Sequence, residues 1–202
     1  MQDTNAWYRE NANQFIASTY ALNMEALYAQ FLPLLPVGGL ILDYGCGSGR
    51  DSLAFAKAGY EVLAIDPCPE FIAYLENQAD QNQIKNLEVR LGSLEEVSEK
   101  ERFDGVWACA SLLHLPKHAL TQTLIGLAQH LIKGGVLYAS FKKGTFEGGR
   151  NGRYFTDMEP GKLENLIHTI QDFELKKIWL TEDIRPERVE SWVNLLAIKQ
   201  ST

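Results

Sequence analysis

The apolar positions of this chain switch between two periods, and the switches mark its elements. Tyr8, Ala12, Phe15, Ile16 and Thr19 recur at helical spacing, which predicts a helix over 4–19 capped by Thr4 or Asn5. Met24, Leu27, Tyr28 and Phe31 predict a second helix over about 22–32, ended by Pro33 and Pro36. From Gly39 the rhythm changes to short apolar runs alternating with helical stretches. The runs at 40–44, 61–65, 87–91, 103–109 and 136–141 read as strands. Helices are expected between them at about 50–58 and 69–80, and from Pro116 along Leu120, Leu124, Leu127, Ala128 and Leu131 to a stop at Gly134-Gly135. Such alternation predicts a parallel sheet with helices on both faces.

The end of the chain breaks the rhythm. Residues 142–153 are rich in glycine and arginine and read as a loop. Leu163, Leu166, Ile167 and Ile170 mark a short helix, and two apolar runs follow at 173–181 and 192–198. Only about ten residues join those runs, Pro186 among them. A parallel crossover needs a dozen or more, so the last two strands should pair antiparallel. Repeats, low-complexity tracts and linkers are absent from the sequence. The expectation is one domain over 1–202, with cap helices in 1–36 and an α/β core in 37–202.

The candidate chemistry gathers where the first strand ends. Leu40-Ile41-Leu42 runs into Asp43, and glycine then recurs at 45, 47 and 49. Such glycines take positive φ and bring backbone close to a ligand, and the helix start behind them offers unpaired N–H groups. A dinucleotide site wants G-x-G-x-x-G; here the spacing is G-x-G-x-G, with Arg50 next. Asp43 would repel a phosphate and attract the ammonium group of an amino acid. S-adenosylmethionine (SAM) has an amino-acid tail, a ribose, an adenine and a sulfonium, and no phosphate, so it fits better than a nicotinamide cofactor. The alternative for Asp43 is a helix or turn cap. Asp66 ends the second strand, about twenty residues on, where an acid suits ribose hydroxyls. Its alternative is to cap the helix behind Pro67 and Pro69.

These stretches resemble a known family. Asp43-Tyr44-Gly45-Cys46-Gly47-Ser48-Gly49 is similar to motif I of the class I SAM-dependent methyltransferases, and Asp66 matches their acid after strand two. Phe103-Asp104-Gly105-Val106-Trp107-Ala108 resembles their strand-four motif, and Leu131-Ile132-Lys133-Gly134-Gly135-Val136-Leu137 their L-x-P-G-G-x-L turn. The resemblance spans about 39–141, weakens toward the C-terminal hairpin, and is nearest to the small tellurite-resistance-type and other small-molecule methyltransferases. It implies a Rossmann-like seven-stranded sheet in the order 3-2-1-4-5-7-6, strand seven antiparallel, with the N-terminal helices folded over a SAM site. By the same resemblance Asp43, Gly45, Gly47 and Gly49 hold the methionine end, Asp66 holds the ribose, and Ser93 and Leu94 flank the adenine. Cys46, Pro67, Ala108 and Cys109 complete the cofactor-binding set. Two departures stand out: Gly92-Ser93-Leu94 replaces an acid found in many members after strand three, and Lys133 replaces a proline.

On the acceptor side, His114 follows strand four and is a candidate base, the alternative being a histidine satisfied by backbone groups. Arg150 and Arg153, with Lys142 and Lys143, read as a mobile lid or a clamp for an anionic substrate, or as a solvated loop. Tyr8 is placed near the sulfonium or the substrate, or simply in packing. The N-P-P-Y-like run of amino-directed nucleic-acid methyltransferases is missing at 109–114, and the net charge is −7, so no nucleic-acid or acidic-membrane partner is expected. Three cysteines, Cys46, Cys68 and Cys109, without a CxxC point away from a zinc site or disulfides and toward a reducing, cytoplasmic setting. The N-terminus lacks a signal-peptide plan, and no apolar run reaches membrane-spanning length. The chain is therefore expected to be a cytoplasmic, monomeric or weakly dimeric SAM-dependent methyltransferase acting on a small, anionic molecule without a metal. A non-catalytic SAM-binding protein and a nicotinamide-dependent oxidoreductase are the alternatives.

Overall fold

The structure is a computed structural model describing residues 3–185 and 188–200; Pro186, read in the last connection, lies outside them. The sheet is built outward from β1 (Leu40–Tyr44), whose Ile41 and Leu42 are completely buried on opposite faces. A strand covered on both sides sits at the centre. It pairs in parallel with β2 (Glu61–Asp66) and with β4 (Phe103–Ala108). β3 (Leu87–Leu91) extends the β2 side, and β5 (Leu131–Lys142) the β4 side. Beyond β5, β9 (Ser191–Lys199) runs antiparallel, and β8 (Phe173–Glu182) closes the edge against it. A separate two-stranded hairpin, β6 (Glu147–Arg150) and β7 (Arg153–Thr156), stands between β5 and β8 in the chain. With that hairpin counted, the order β3-β2-β1-β4-β5-β9-β8 is the expected 3-2-1-4-5-7-6, seventh strand antiparallel.

Helices cover both faces. α2 (Glu25–Phe31) and α3 (Arg50–Lys57) press Phe31 and Phe55 onto Ile41, Trp107 and Tyr138, the last two stacked with ring centroids 3.9 Å apart. α5 (Lys117–His130) and α6 (Pro160–His168) bury Leu120, Leu124, Leu127, Leu163 and Ile167 on the other face. α4 (Pro69–Gln81) packs Leu75 and Ala79 against Leu53 and Ala64. α1 (Thr4–Thr19) lies on the start of α4, with Ala12 and Ile16 against Cys68 and Phe71. Phe31 and Leu35, which precede β1, belong to this sheet-face core. No helix among the described residues is long and apolar enough to cross a membrane.

Three local expectations are corrected. The α1 cap is Asp3, whose Oδ1 accepts from the N–H groups of Asn5 and Ala6, while Thr4 Oγ1 accepts from Tyr154 N. α5 ends at His130, before Gly134-Gly135; those glycines sit where β5 bulges, its register against β4 jumping from Phe103–Leu131 to Gly105–Val136. The third correction concerns 142–153, which is largely folded. Asn151 and Gly152 both take positive φ, 51° and 78°, which is the two-residue turn that closes a tight hairpin. Gly152 is there for a second reason, since a side chain at that position would run into the Trp7 ring of α1.

Candidate active site

At the carboxyl ends of β1, β2 and β4 the chain encloses a cavity of about 760 Å³. Its floor is the turn after β1. Gly45, Gly47 and Gly49 have φ of 74°, 53° and 72°, but their reasons differ. Gly45 leaves room for Ser111 at the end of β4, and Gly47 faces Phe15 of α1 across the cavity. Gly49 does not line the cavity, and a side chain on it would overlap Leu75 of α4. Gly49→Ala is expected to cost about 2 kcal/mol, from the left-handed backbone and the overpacking together, read as a lower Tm.

The acids at the turn divide the work. Asp66 Oδ2 accepts from Gly47 N at 2.9 Å and Oδ1 from Cys68 N at 2.8 Å, so the carboxylate closes the turn and faces the cavity. Burial outweighs those two bonds and lifts its pKa to about 6. Asp43 lies beneath the turn, wholly buried, and accepts from Ser52 Oγ; it does not line the cavity. Burial first, then the neighbouring charge of Asp51, pushes its carboxyl up. Asp51, at the helix start, lines the cavity as Asp66 does, and is gripped by Arg50 Nε and Nη2 at 2.6 and 2.9 Å. Arg50 lines it too, beside Cys109. Pro67, Ser93 and Cys46 also line it, whereas Leu94 and Ala108 do not. Ser93 heads a capping box with Glu96. Burial raises the thiol pKa values of Cys46 and Cys109, which makes them space-fillers.

The opposite wall is made by α1, the segment after β4, and the β6–β7 hairpin. His114 Nδ1 is 2.7 Å from the Tyr154 carbonyl and Nε2 is 2.8 Å from the Tyr8 hydroxyl. Arg153 lies flat over Trp7 at 4.1 Å and donates to Tyr8 Oη at 3.2 Å. Arg153 and Lys142 line the cavity; Arg150 does not. Arg150 is held away by Asp157 and stacks on Phe146 and Phe155, so its part is structural. Lys142 is likewise fixed, on Glu190 at 2.5 Å. The sequence reading missed the β8–β9 connection, whose Asp183, Ile184 and Arg185 line the mouth with Trp192. Strand direction places it there, since β8 runs parallel to β5 and so ends at the carboxyl edge.

A family model described as a methyltransferase domain matches residues 41–135, from β1 through the turn into β5. Among solved structures, the Burkholderia thailandensis 1,6-didemethyltoxoflavin-N1-methyltransferase superposes with TM-score 0.74 at 20% identity, over 100% of this chain and 92% of its own. Magnesium protoporphyrin IX methyltransferase from Synechocystis gives 0.75 at 17% identity, over 97% and 98%. The chain has the class I SAM-dependent methyltransferase fold. Both of these methyltransferases were crystallised with S-adenosylhomocysteine (SAH). Among curated proteins, the ubiquinone biosynthesis O-methyltransferase of Xanthomonas axonopodis pv. citri is 30% identical over 138 residues, 67% of this chain and 56% of that one. The chain spans about half the length of the curated relatives it matches. The antiparallel β9 separates this sheet from an all-parallel dinucleotide fold.

Proposed function

We propose that this protein is an enzyme that transfers the methyl group of SAM to a small, anionic molecule. The observation that carries this is the turn itself, with Asp66 facing the cavity beside a glycine floor and the Arg50–Asp51 pair lining the same end. Asp66 would hold the ribose hydroxyls. Asp51 and Arg50 present both charge signs to an amino-acid zwitterion, Asp51 toward the ammonium and Arg50 toward the carboxylate, while Asp43 acts from beneath through the helix start. Ser93 and Pro67 would border the adenine side. Ser111 Oγ, buried at this end with no hydrogen-bond partner among the described residues, adds a polar group for the ligand to satisfy. When bound, SAM supplies a methyl already activated on sulfur, so this chain has to position the acceptor, exclude water and manage one proton.

Lys142 is paired with Glu190 and Arg185 with Asp183, so Arg153, which pairs with no carboxylate among the described residues, is the cation on the outer wall that supports an anionic acceptor. The curated relatives are named as O-methyltransferases, which fits an oxygen acceptor. Three free cysteines suit a reducing, cytoplasmic compartment, where the chain would act as a monomer or weak dimer without nucleic acid.

Calorimetry tests the reading. SAH is expected to bind at micromolar concentration near neutral pH; no heat at high micromolar SAH overturns it. Ribose hydroxyls need an ionised Asp66, whose pKa stands at about 6 in the free protein. Affinity should thus be level above that pH and fall up to about tenfold per pH unit below it. A labelled-methyl assay on cell extract separates an enzyme from a binding protein without catalysis.

A further inference from the structure

The polar cluster on the acceptor wall has a direction that its donors and acceptors fix. The Tyr154 carbonyl can only accept, so His114 Nδ1 carries the proton and Nε2 presents a lone pair. The Tyr8 hydroxyl, 2.8 Å from that lone pair, must donate to it. The same oxygen accepts from Arg153 Nη1, which polarises the hydroxyl. All three side chains line the cavity. Burial, together with the charges of Arg153 and Lys142, holds the His114 pKa down at about 4 against the pull of the Tyr154 carbonyl, so the ring is neutral at neutral pH and a proton it receives is held only transiently. The arrangement runs from the Tyr8 oxygen to the lone pair on His114 Nε2.

We infer that Tyr8 and His114 form a proton relay that selects a hydroxyl group as the methyl acceptor. This rests on the methyltransferase reading above. The acceptor hydroxyl gives its proton to Tyr8 Oη as the Tyr8 proton passes to His114 Nε2. The freed oxygen pair forms the O–CH3 bond, and the S–CH3 bond breaks with its electrons left on sulfur. A positive charge disappears at sulfur as one appears on the imidazole, so the net charge of the cavity is unchanged, and the ring then returns its proton to solvent. Other acceptor classes fit less well. A carboxylate arrives ionised and has no use for a base. An amine arrives as an ammonium, which the Arg153 guanidinium beside Tyr8 repels. His114 acts through Tyr8 and touches no acceptor atom.

Tyr8→Phe keeps the ring packed on Phe15 and Phe71, and His114→Asn keeps an amide N–H for the Tyr154 carbonyl. The assay uses methyl-labelled SAM with the small-molecule fraction of a cell extract. Label is expected in an alkali-stable methyl ether. Both variants should lose about 100-fold in kcat and the solvent deuterium effect, with SAH affinity within about twofold. Label in an alkali-labile ester or a methylammonium product, or either variant at the wild-type rate, overturns the relay. So does wild-type protein that binds SAH and transfers nothing; protein that does not bind SAH overturns the cofactor reading instead. Nitrogen NMR gives a readout apart from activity. His114 should be protonated on Nδ1 and bare on Nε2, and a ring protonated on Nε2 overturns the relay.

Discussion

Asp51→Ala is expected to lower folding stability by about 3–5 kcal/mol, the usual cost of removing one partner from a buried ion pair. Asp51 is 6% exposed and serves four donors at once. Arg50 grips it with two nitrogens, Tyr28 Oη donates at 2.5 Å and Trp107 Nε1 at 2.8 Å. Burial alone would raise this carboxyl, but Arg50 and the other donors outweigh it and hold the pKa below the ordinary aspartate value. The pair's contribution is therefore present above the unfolded pKa and lost as acid protonates the carboxylate. In the alanine variant Arg50 keeps its charge with no counter-ion, and the Trp107 N–H is stranded in the core. Asp43 recovers part of the loss, because relief from the charge of Asp51 makes its own burial less costly. Urea unfolding reads the result, and a midpoint within error of wild type would show that Asp51 is not the hub its contacts describe.

Asp66→Ala separates affinity from stability. Its carboxylate is the cavity-facing acceptor beside Gly47, so SAH should bind about 10–100-fold more weakly, corresponding to roughly 1–3 kcal/mol of charged hydrogen bonding. The fold should hardly register Asp66→Asn. An acid with a folded pKa of about 6 is protonated more readily folded than unfolded. Stability therefore declines as pH rises from about 4 to 6, by roughly 3 kcal/mol in all. The two backbone hydrogen bonds are already contained in that figure, and asparagine removes the burden, so near neutral pH Asp66→Asn should melt no lower than wild type. Calorimetry with SAH and thermal melts on the two variants check both halves. An unchanged SAH affinity in the alanine variant would place the ribose elsewhere.

The glycine turn and the antiparallel end were legible because they are written locally, as apolar runs, turn residues and one connection too short for a crossover, whereas the strand order came from the family resemblance alone. The direction of Asp43 was legible in principle as well. It shares strand parity with Ile41, whose face α3 covers, and that is where Ser52 meets it. The end of α5 was not legible, because Leu131 continues the helical apolar pattern and the chain turns extended on the strength of its pairing with Phe103. The hairpin carried its own signal in Asn151-Gly152, overshadowed by the cations around it. Nothing local says that Arg153 stacks on Trp7 or that Tyr8 reaches His114; those pairings lie 106 or more residues apart and exist only once the sheet has set the distance.

α1 meets the rest of the chain in reverse order. Tyr20 packs on Tyr74 and Phe15 on Phe71, then Tyr8 meets His114, Trp7 meets Arg153, and Thr4 holds Tyr154. During synthesis from the N-terminus, the C-terminal half of this helix finds its partners as soon as α4 has emerged. Its first turn, with Thr4 and Trp7, waits for the hairpin, some seventy residues later. A chain arrested before residue 153 would carry the glycine floor under a roof secured at one end.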